Sequence, residues 1–220
     1  MPARFDPLNI IISGVGGQGN ILASDLISRA FCEDGYLVSV GETYGATQRG
    51  GSVTSHVRLS RRRSYGPLIP RHDAHVIIGF EPLEVYRIIR EYGHESVRVI
   101  MNDRPVYPLD TLRKKSEYPD PGRLISWIDS RAGEVVIVRG TELAQKAGSP
   151  RAQNVVMVGA FAGLNWVPLP KDLFRRALEE TFSGDKLAIN QKAFELGRAA
   201  VTGSGRARAR LETTMRDEIL

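Results

Sequence analysis

Two glycine-rich segments near the start of the chain hold most of the residues whose types and spacing could support chemistry. The first, at 14–19, reads GVGGQG and satisfies the GxGxxG pattern. It follows the apolar run 9–13, which predicts a buried strand, and precedes 20–33, where apolar residues recur at three- and four-residue spacing and predict a helix. Glycines at such a junction permit a tight turn, and the free N–H groups at the start of a helix attract an anion.

One interpretation of this first segment is a dinucleotide site. A dinucleotide-binding fold also needs an acidic residue near the end of the second strand, about twenty residues further on, and Glu42 is in that vicinity. A free-standing NAD(P)- or FAD-binding Rossmann oxidoreductase is therefore one alternative. Because GxGxxG alone is a weak signal, a contact with a different phosphate or with a partner chain stays open, and so does a turn that only serves the fold.

The second segment, at 42–52, reads ETYGATQRGGS, a stretch that ordinary dinucleotide folds do not carry after the second strand. Gln48 offers an amide for hydrogen bonding, and the planar guanidinium of Arg49 suits a carboxylate or a phosphate, although it could instead form a salt bridge within the chain. Gly50 and Gly51 leave room for the close approach of another chain. Both segments follow consecutive strands that we predict to be parallel, so we expect them at the same carboxyl edge of the sheet, where α/β sites form.

The elements that position these segments alternate between apolar strands and helices. The pattern predicts strands at 9–13, 36–40, 52–59, 74–79, 97–101 and 134–138, and helices at 20–33, 82–91, 123–130, 141–146, 153–164, 171–182 and 186–201. The alternation at 52–59 indicates a strand with one wetter face. The order predicts an α/β, doubly wound, mostly parallel sheet with helices on both faces, a Rossmann-like fold. Residues 1–202 would form a single domain, and 203–220 a tail that is flexible or ordered by a partner.

The composition narrows the classes of function. The sole cysteine, Cys32, cannot form a disulfide within the chain or hold an iron–sulfur cluster, which usually takes four thiolates, and we expect it to be buried. The four histidines show no zinc spacing, so we assign no metal site. The sequence shows no catalytic triad or paired-carboxylate arrangement, so we assign no catalytic residue. Much of the net charge of +5 lies in arginines between 58 and 71, but no recognition motif accompanies it, and we expect no nucleic acid partner. Without a membrane-length apolar run or a secretory signal, a cytoplasmic protein is expected.

The two glycine segments together resemble a known family. GVGGQG followed by YGATQRGGSVTSHVR is similar to the small, gamma-type subunit of 2-oxoacid:ferredoxin oxidoreductases, and most of all to the beta subunit of indolepyruvate oxidoreductases. The resemblance covers residues 8–200. It includes Asn154 and Gly159 in one apolar helix, and Asn190 and Gly197 in the last one.

This resemblance implies a division of labour between two chains. In the family, a 2-oxoacid is oxidatively decarboxylated on thiamine diphosphate, electrons pass through iron–sulfur clusters to ferredoxin, and coenzyme A takes the acyl group. The implied substrate is indolepyruvate or another arylpyruvate. Thiamine diphosphate, Mg²⁺ and [4Fe-4S] clusters are expected in a large alpha subunit. This chain would form a hetero-oligomer with that subunit and be inactive alone.

The resemblance also implies which residues form this chain's wall of a composite active site. They are expected at the interface, in contact with substrate, coenzyme A or the large subunit: Gly14, Gly16, Gly17, Gln18, Gly19, Tyr44, Gln48, Arg49, Gly50, Gly51 and Ser52. The alternative is that both segments only pack the subunits together. Asn154 and Asn190 lie on apolar helix faces, where we expect them to hydrogen-bond backbone groups.

Overall fold

The computed structural model describes residues 5–45, 51–107, 111, 117–167 and 169–202. Within these residues one six-stranded sheet is formed by β1 (Leu8–Val15), β2 (Leu37–Tyr44), β3 (Ser52–Ser60), β4 (Val76–Gly79), β5 (Arg98–Asn102) and β6 (Glu134–Val138). The helices are α1 (Asn20–Glu33), α2 (Pro82–Tyr92), α3 (Pro121–Arg131), α4 (Gly140–Ala147), α5 (Gln153–Leu164), α6 (Lys171–Thr181) and α7 (Gly184–Thr202). The predicted α/β fold is confirmed.

The sheet is mixed, because one strand runs against the others. The strand order is β2-β3-β1-β4-β5-β6, and β1, β4, β5 and β6 are parallel neighbours. β3 is antiparallel to both β1 and β2, so these two strands run in the same direction without touching each other. The chain at 41–44 lies beyond the predicted strand at 36–40 but continues β2, and Tyr44 pairs with Val53. Both strands still end at the same edge of the sheet.

The predicted wetter face of β3 is wrong, since Thr54 and His56 are buried on it. β3 is interior to the sheet, and the connection from β3 to β4 lies over this face. The Ile69 N–H donates to His56 Nδ1 at 3.4 Å, and Arg58 donates to the carbonyl of Leu68 at 3.1 Å. Burial lowers the pKa of His56, which is consistent with a neutral imidazole in a covered position.

Two apolar cores lie on the two faces of the sheet. Alternate residues of β1 separate them: Ile10 and Ile12 face one core, and Ile11 faces the other. The larger core is closed by α1 and α4–α7, and the smaller one by α2 and α3. The β1–turn–α1 junction is therefore fixed from both sides. Cys32, predicted to be buried, is exposed, since it lies on the face of α1 that carries the exposed Ile21 and Arg29 and points away from the core.

A close crossing of α5 and α7 supports the larger core. A Cβ added at Gly159 would overlap the carbonyl of Phe194, and one added at Gly197 would overlap the carbonyl of Val156. The two helices can approach this closely only because both positions are glycine. These two glycines, part of the family resemblance, serve packing.

The arginines between 58 and 71 all contact groups of the same chain. Each arginine makes an intramolecular contact: Arg58 with the carbonyls of Gly66 and Leu68, Arg61 with Asp34, Arg62 with Asp6, Arg63 with the ring of Tyr65, and Arg71 with Glu91. Most of these pairs are exposed, so each contributes little to stability. Across the described chain, no helix is both long and apolar enough to cross a membrane.

Candidate functional site at the carboxyl edge of the sheet

The two glycine segments meet where β1 and β2 end. The Gly16 N–H donates to the Gly51 carbonyl at 2.9 Å, and Val15 pairs with Ser52 in the β1–β3 ladder. The Gly45 N–H donates to the Ser52 carbonyl at 2.7 Å, which closes the base of the second segment. The predicted meeting of the two segments at one edge is therefore confirmed. β3 brings it about, because it begins at this edge between the two strands.

Gln18 holds the first turn from inside. Its Oε1 accepts the Val15 N–H at 2.7 Å, and its Nε2 donates to the Phe80 carbonyl at 3.1 Å. The side chain therefore joins the end of β1 to the end of β4. Both ends of the amide are occupied within the chain, so Gln18 acts by orienting the Gly16–Gly17 backbone.

The glycines of the first turn have different surroundings. A Cβ at Gly14 would lie 2.7 Å from Gln18 Oε1, and one at Gly19 would overlap the Asn154 amide, so both positions are closed by neighbouring side chains. Gly17 is exposed, has a φ of +99°, and a Cβ there would meet nothing within 4 Å. Of these three glycines, Gly17 is therefore the one that another molecule can approach.

The second segment is described only at its two ends. Tyr44 is 63% exposed at the end of β2, and Ser52 is half-buried at the start of β3. Gln48, Arg49 and Gly50 lie outside the described residues. The structure thus gathers the first turn, Gly51 and Ser52, and places Tyr44 one ladder position away.

The geometry at Glu42 disfavours the dinucleotide interpretation. Its carboxylate accepts hydrogen bonds from Ser55 Oγ at 2.6 Å and from Ser24 Oγ at 3.1 Å. These contacts tie β2 to β3 and to α1. A ribose-binding acid must have its oxygens available for the sugar hydroxyl. Here two serines occupy them, and β3 separates the acid from β1.

A polar network at the same edge was not predicted. Three side-chain amides converge on the Phe80 carbonyl: Gln18 at 3.1 Å, Asn102 at 3.3 Å and Gln153 at 3.3 Å. Asn102 Oδ1 also accepts the Thr141 N–H at 3.3 Å. The network ties the ends of β1, β4 and β5 to the starts of α4 and α5. An asparagine that ends a buried apolar strand was the available signal in the sequence.

Glu81 is a buried acid beside this network, and it was not predicted from the sequence either. It is 1% exposed and accepts the Glu84 N–H at 2.9 Å as the N-cap of α2. Tyr118 also donates its hydroxyl to this carboxylate. Burial raises the pKa of Glu81, while the hydrogen bond from Tyr118 acts in the opposite direction.

Four exposed apolar side chains lie at the ends of elements that reach the carboxyl edge. We call them the apolar rim: Ile21 at the start of α1, Tyr44 at the end of β2, and Val106 and Tyr107 after β5. Ile21 is 51% and Tyr107 47% exposed. Large apolar side chains gathered at one edge are typical of a surface that another protein covers.

The asparagines on apolar helix faces bind backbone groups, as predicted. Asn154 Nδ2 donates to the Gly19 carbonyl at 3.3 Å, and Asn190 Nδ2 donates to the Lys186 carbonyl at 2.9 Å. In the part of the chain that the structure describes, no three histidine, cysteine, aspartate or glutamate side chains are arranged to hold a metal ion.

Known proteins share both the sequence and the fold. The pyruvate ferredoxin/flavodoxin oxidoreductase family matches residues 9–200. Indolepyruvate oxidoreductase subunit IorB of Archaeoglobus fulgidus is 37% identical over 190 residues, which are 86% of this chain and 93% of that protein.

Two solved structures have the same fold. The 2-oxoglutarate:ferredoxin oxidoreductase of Magnetococcus marinus superposes with a TM-score of 0.69 at 22% identity, over 93% of this chain and 32% of that longer chain. The gamma subunit of a keto/oxoacid ferredoxin oxidoreductase from Geobacter sulfurreducens superposes with a TM-score of 0.64 at 19% identity, over 89% of this chain and 99% of its own. The resemblance inferred from the glycine segments is confirmed: the chain belongs to the pyruvate ferredoxin/flavodoxin oxidoreductase family, as a small subunit similar to those of indolepyruvate oxidoreductases.

Proposed function

We propose that this chain is the small subunit of a thiamine diphosphate-dependent 2-oxoacid:ferredoxin oxidoreductase that acts on indolepyruvate or a related arylpyruvate. The complex would convert the oxoacid to an acyl-CoA and pass the electrons to ferredoxin in the cytoplasm. The 37% identity to an indolepyruvate oxidoreductase subunit supports this substrate class. The observation that carries the proposal is the junction of the two glycine segments, with Gly17 open and the apolar rim on the same edge of the sheet.

The proposal assigns the cofactors to the large alpha subunit. A [4Fe-4S] cluster takes four cysteine thiolates, and this chain has one cysteine, Cys32. Thiamine diphosphate with its Mg²⁺ supplies the carbanion chemistry when bound. This chain's own residues then shape and close the site against water.

Each segment has a distinct part in this wall. Gly17 lets the large subunit or a ligand approach the backbone, and Gln18 keeps that backbone in place. Tyr44 and Ser52 border the second segment, from which Gln48, Arg49 and Gly50 would reach the substrate, coenzyme A or the large subunit. A guanidinium at Arg49 would suit the carboxylate of an oxoacid or a phosphate of coenzyme A.

The test is reconstitution from separately purified subunits. With coenzyme A and ferredoxin present, we expect indolepyruvate-dependent ferredoxin reduction by the mixture and none by either subunit alone. Pyruvate and 2-oxoisovalerate serve as comparison substrates and should give lower kcat/KM. A preference for either would overturn the arylpyruvate assignment. Micromolar binding of NAD, NADP or FAD by the isolated chain would favour the dinucleotide alternative and contradict the proposal.

The isolated chain should carry neither iron nor thiamine diphosphate. The absence of iron follows from the single cysteine, and metal analysis with the visible absorption spectrum checks it. The absence of thiamine diphosphate follows from the assignment of that cofactor to the large subunit, and analysis of the denatured chain for released cofactor checks it. Stoichiometric iron with a cluster band in the isolated chain would refute the division of labour. The large subunit, purified in the same way, is the positive control.

A further inference from the structure

Glu81 is bound by more groups than a helix cap requires. One carboxylate oxygen, Oε2, accepts the Glu84 N–H and caps α2. The other, Oε1, accepts the hydroxyl of Tyr118 and the Val106 N–H, the latter at 3.4 Å. A cap needs only one oxygen, which a short aspartate or serine can provide. Because burying a carboxylate is costly unless hydrogen bonds compensate it, the second oxygen calls for a separate explanation.

The two groups that donate to Oε1 come from opposite ends of one connecting segment. Val106 lies at the start of segment 103–120, which connects β5 to α3, and Tyr118 lies near its end. A single buried oxygen therefore holds both ends of this segment against the start of α2.

An aromatic contact links Tyr118 to the exposed surface. The ring of Tyr118 packs edge-on against the ring of Tyr107, with their centroids 5.1 Å apart. Tyr107 and its neighbour Val106 belong to the apolar rim. Phe80, the residue before Glu81, accepts the Gln18 amide, so the glycine turn and this segment are fixed to the same piece of backbone.

We propose that Glu81 is a positioning residue that sets the place of Val106 and Tyr107 in the apolar rim, and so determines how tightly this chain binds the large subunit. This rests on the proposed function, in which the carboxyl edge faces that subunit. The partner surface it fits is apolar and complementary to an aromatic ring. Glu81 acts through Tyr118 and does not contact substrate.

The sharpest variant is Tyr118→Phe, which removes one hydroxyl and keeps the ring. Tyr65→Phe is the matched control, because Tyr65 lies in the connection from β3 to β4 and its hydroxyl makes a weaker contact, at 3.5 Å, with the Asp6 carbonyl. Glu81→Gln keeps one carbonyl acceptor, so it should show a weaker form of the effect of Glu81→Ala. This graded rescue separates hydrogen bonding from packing.

Hydrogen exchange and the affinity for the large subunit, both measured on the full chain, test the positioning role of Glu81. In Tyr118→Phe, amide hydrogen exchange in peptides covering 103–107 and 117–120 should accelerate about tenfold, in line with the loss of a hydrogen bond to a charged group, while β4 stays protected. The Kd for the large subunit should rise by a similar factor, with kcat at saturating large subunit unchanged. Tyr118→Phe should lower the melting temperature more than Tyr65→Phe does, because the hydrogen bond that it loses is the stronger one, and the chain should stay folded under the conditions of both measurements.

Each contrary result has a distinct meaning. Exchange at wild-type rates in Tyr118→Phe would overturn the role of Glu81 as the residue that holds the segment. Faster exchange with an unchanged Kd would overturn the link to assembly. If the wild-type chain does not bind the large subunit at all, the proposed function fails and the link to assembly fails with it, whereas the exchange result still shows whether Glu81 holds the segment.

Discussion

The first glycine turn and the crossing of α5 with α7 both contain glycines that belong to the family resemblance, yet the glycines do opposite things. At the crossing, a Cβ on Gly159 or Gly197 would overlap backbone of the facing helix. At the turn, a Cβ on Gly17 would meet nothing. The crossing is thus filled by the chain itself, while the turn is left open. A glycine motif marks a site only where the space beside it is free.

The largest effect is expected for Gly17→Val. The branched side chain would occupy the open space, and its φ of +99° is unfavourable for valine. We expect oxoacid oxidation by the reconstituted complex to fall by about a hundredfold or more, the scale of a misplaced reacting geometry. Steady-state kinetics and co-purification with the large subunit measure this.

Folding must be measured beside that activity, because the backbone strain alone could cost about 1–3 kcal/mol. Gly184→Val is the matched control, since Gly184 also has a positive φ, of +54°, and a Cβ there also meets nothing within 4 Å. A folded Gly17→Val chain that assembles with full activity would show that the turn is not a contact surface.

The second prediction concerns the crossing of α5 with α7. Replacing glycine by alanine inside a helix normally stabilises it by up to about 1 kcal/mol. At Gly197 the added methyl would overlap the Val156 carbonyl, so we expect Gly197→Ala to lower the free energy of unfolding by about 1–3 kcal/mol. Chemical denaturation measures the sign directly. A stabilised variant would mean that the crossing is looser than described.

The third prediction concerns Arg49 in the second glycine segment, which meets the first glycine turn at the carboxyl edge. Arg49→Ala should reduce kcat/KM of the reconstituted complex by about tenfold, the value of one charged hydrogen bond, without changing the melting temperature of the subunit. Arg63→Ala is the control, because Arg63 stacks on Tyr65 away from the carboxyl edge. Unchanged kcat and KM would remove Arg49 from the candidate site.

The smallest effect is expected at the contact between α5 and the first glycine turn. Asn154, on α5, donates to the Gly19 carbonyl of the turn. Asn154→Ala should cost about 1 kcal/mol of stability for the lost hydrogen bond and change the activity of the complex less than Gly17→Val does. Denaturation and kinetics on the same preparation compare the two. An activity loss equal to that of Gly17→Val would mean that the turn depends on α5 for its shape.

Most strands could be predicted from the sequence because buried parallel strands are short, continuous apolar runs. The extension of β2 to Tyr44 could not, since Gly41 and polar residues fill it and only pairing with β3 makes it a strand. The insertion of β3 between β1 and β2 likewise depends on long-range register. The wetter face assigned to β3 failed because the connection that covers His56 comes from a different part of the chain.

The candidate site was predicted where it depends on local sequence. The two glycine segments and the edge at which they meet follow from the strand–turn–helix pattern. The Glu81–Tyr118 pair joins residues 37 positions apart, and no periodicity links them. The inward orientation of Gln18 also depends on a distant group, the Phe80 carbonyl.

The most direct test of the central claim is a hydrogen-exchange footprint of the large subunit on this chain. If the carboxyl edge forms a wall of a shared active site, peptides containing Gly17, Ile21, Tyr44 and Tyr107 should become protected in the reconstituted complex. Peptides on the opposite edge, such as those containing His72 and Gly93, should exchange as in the free chain. Protection confined to the opposite edge would contradict the account.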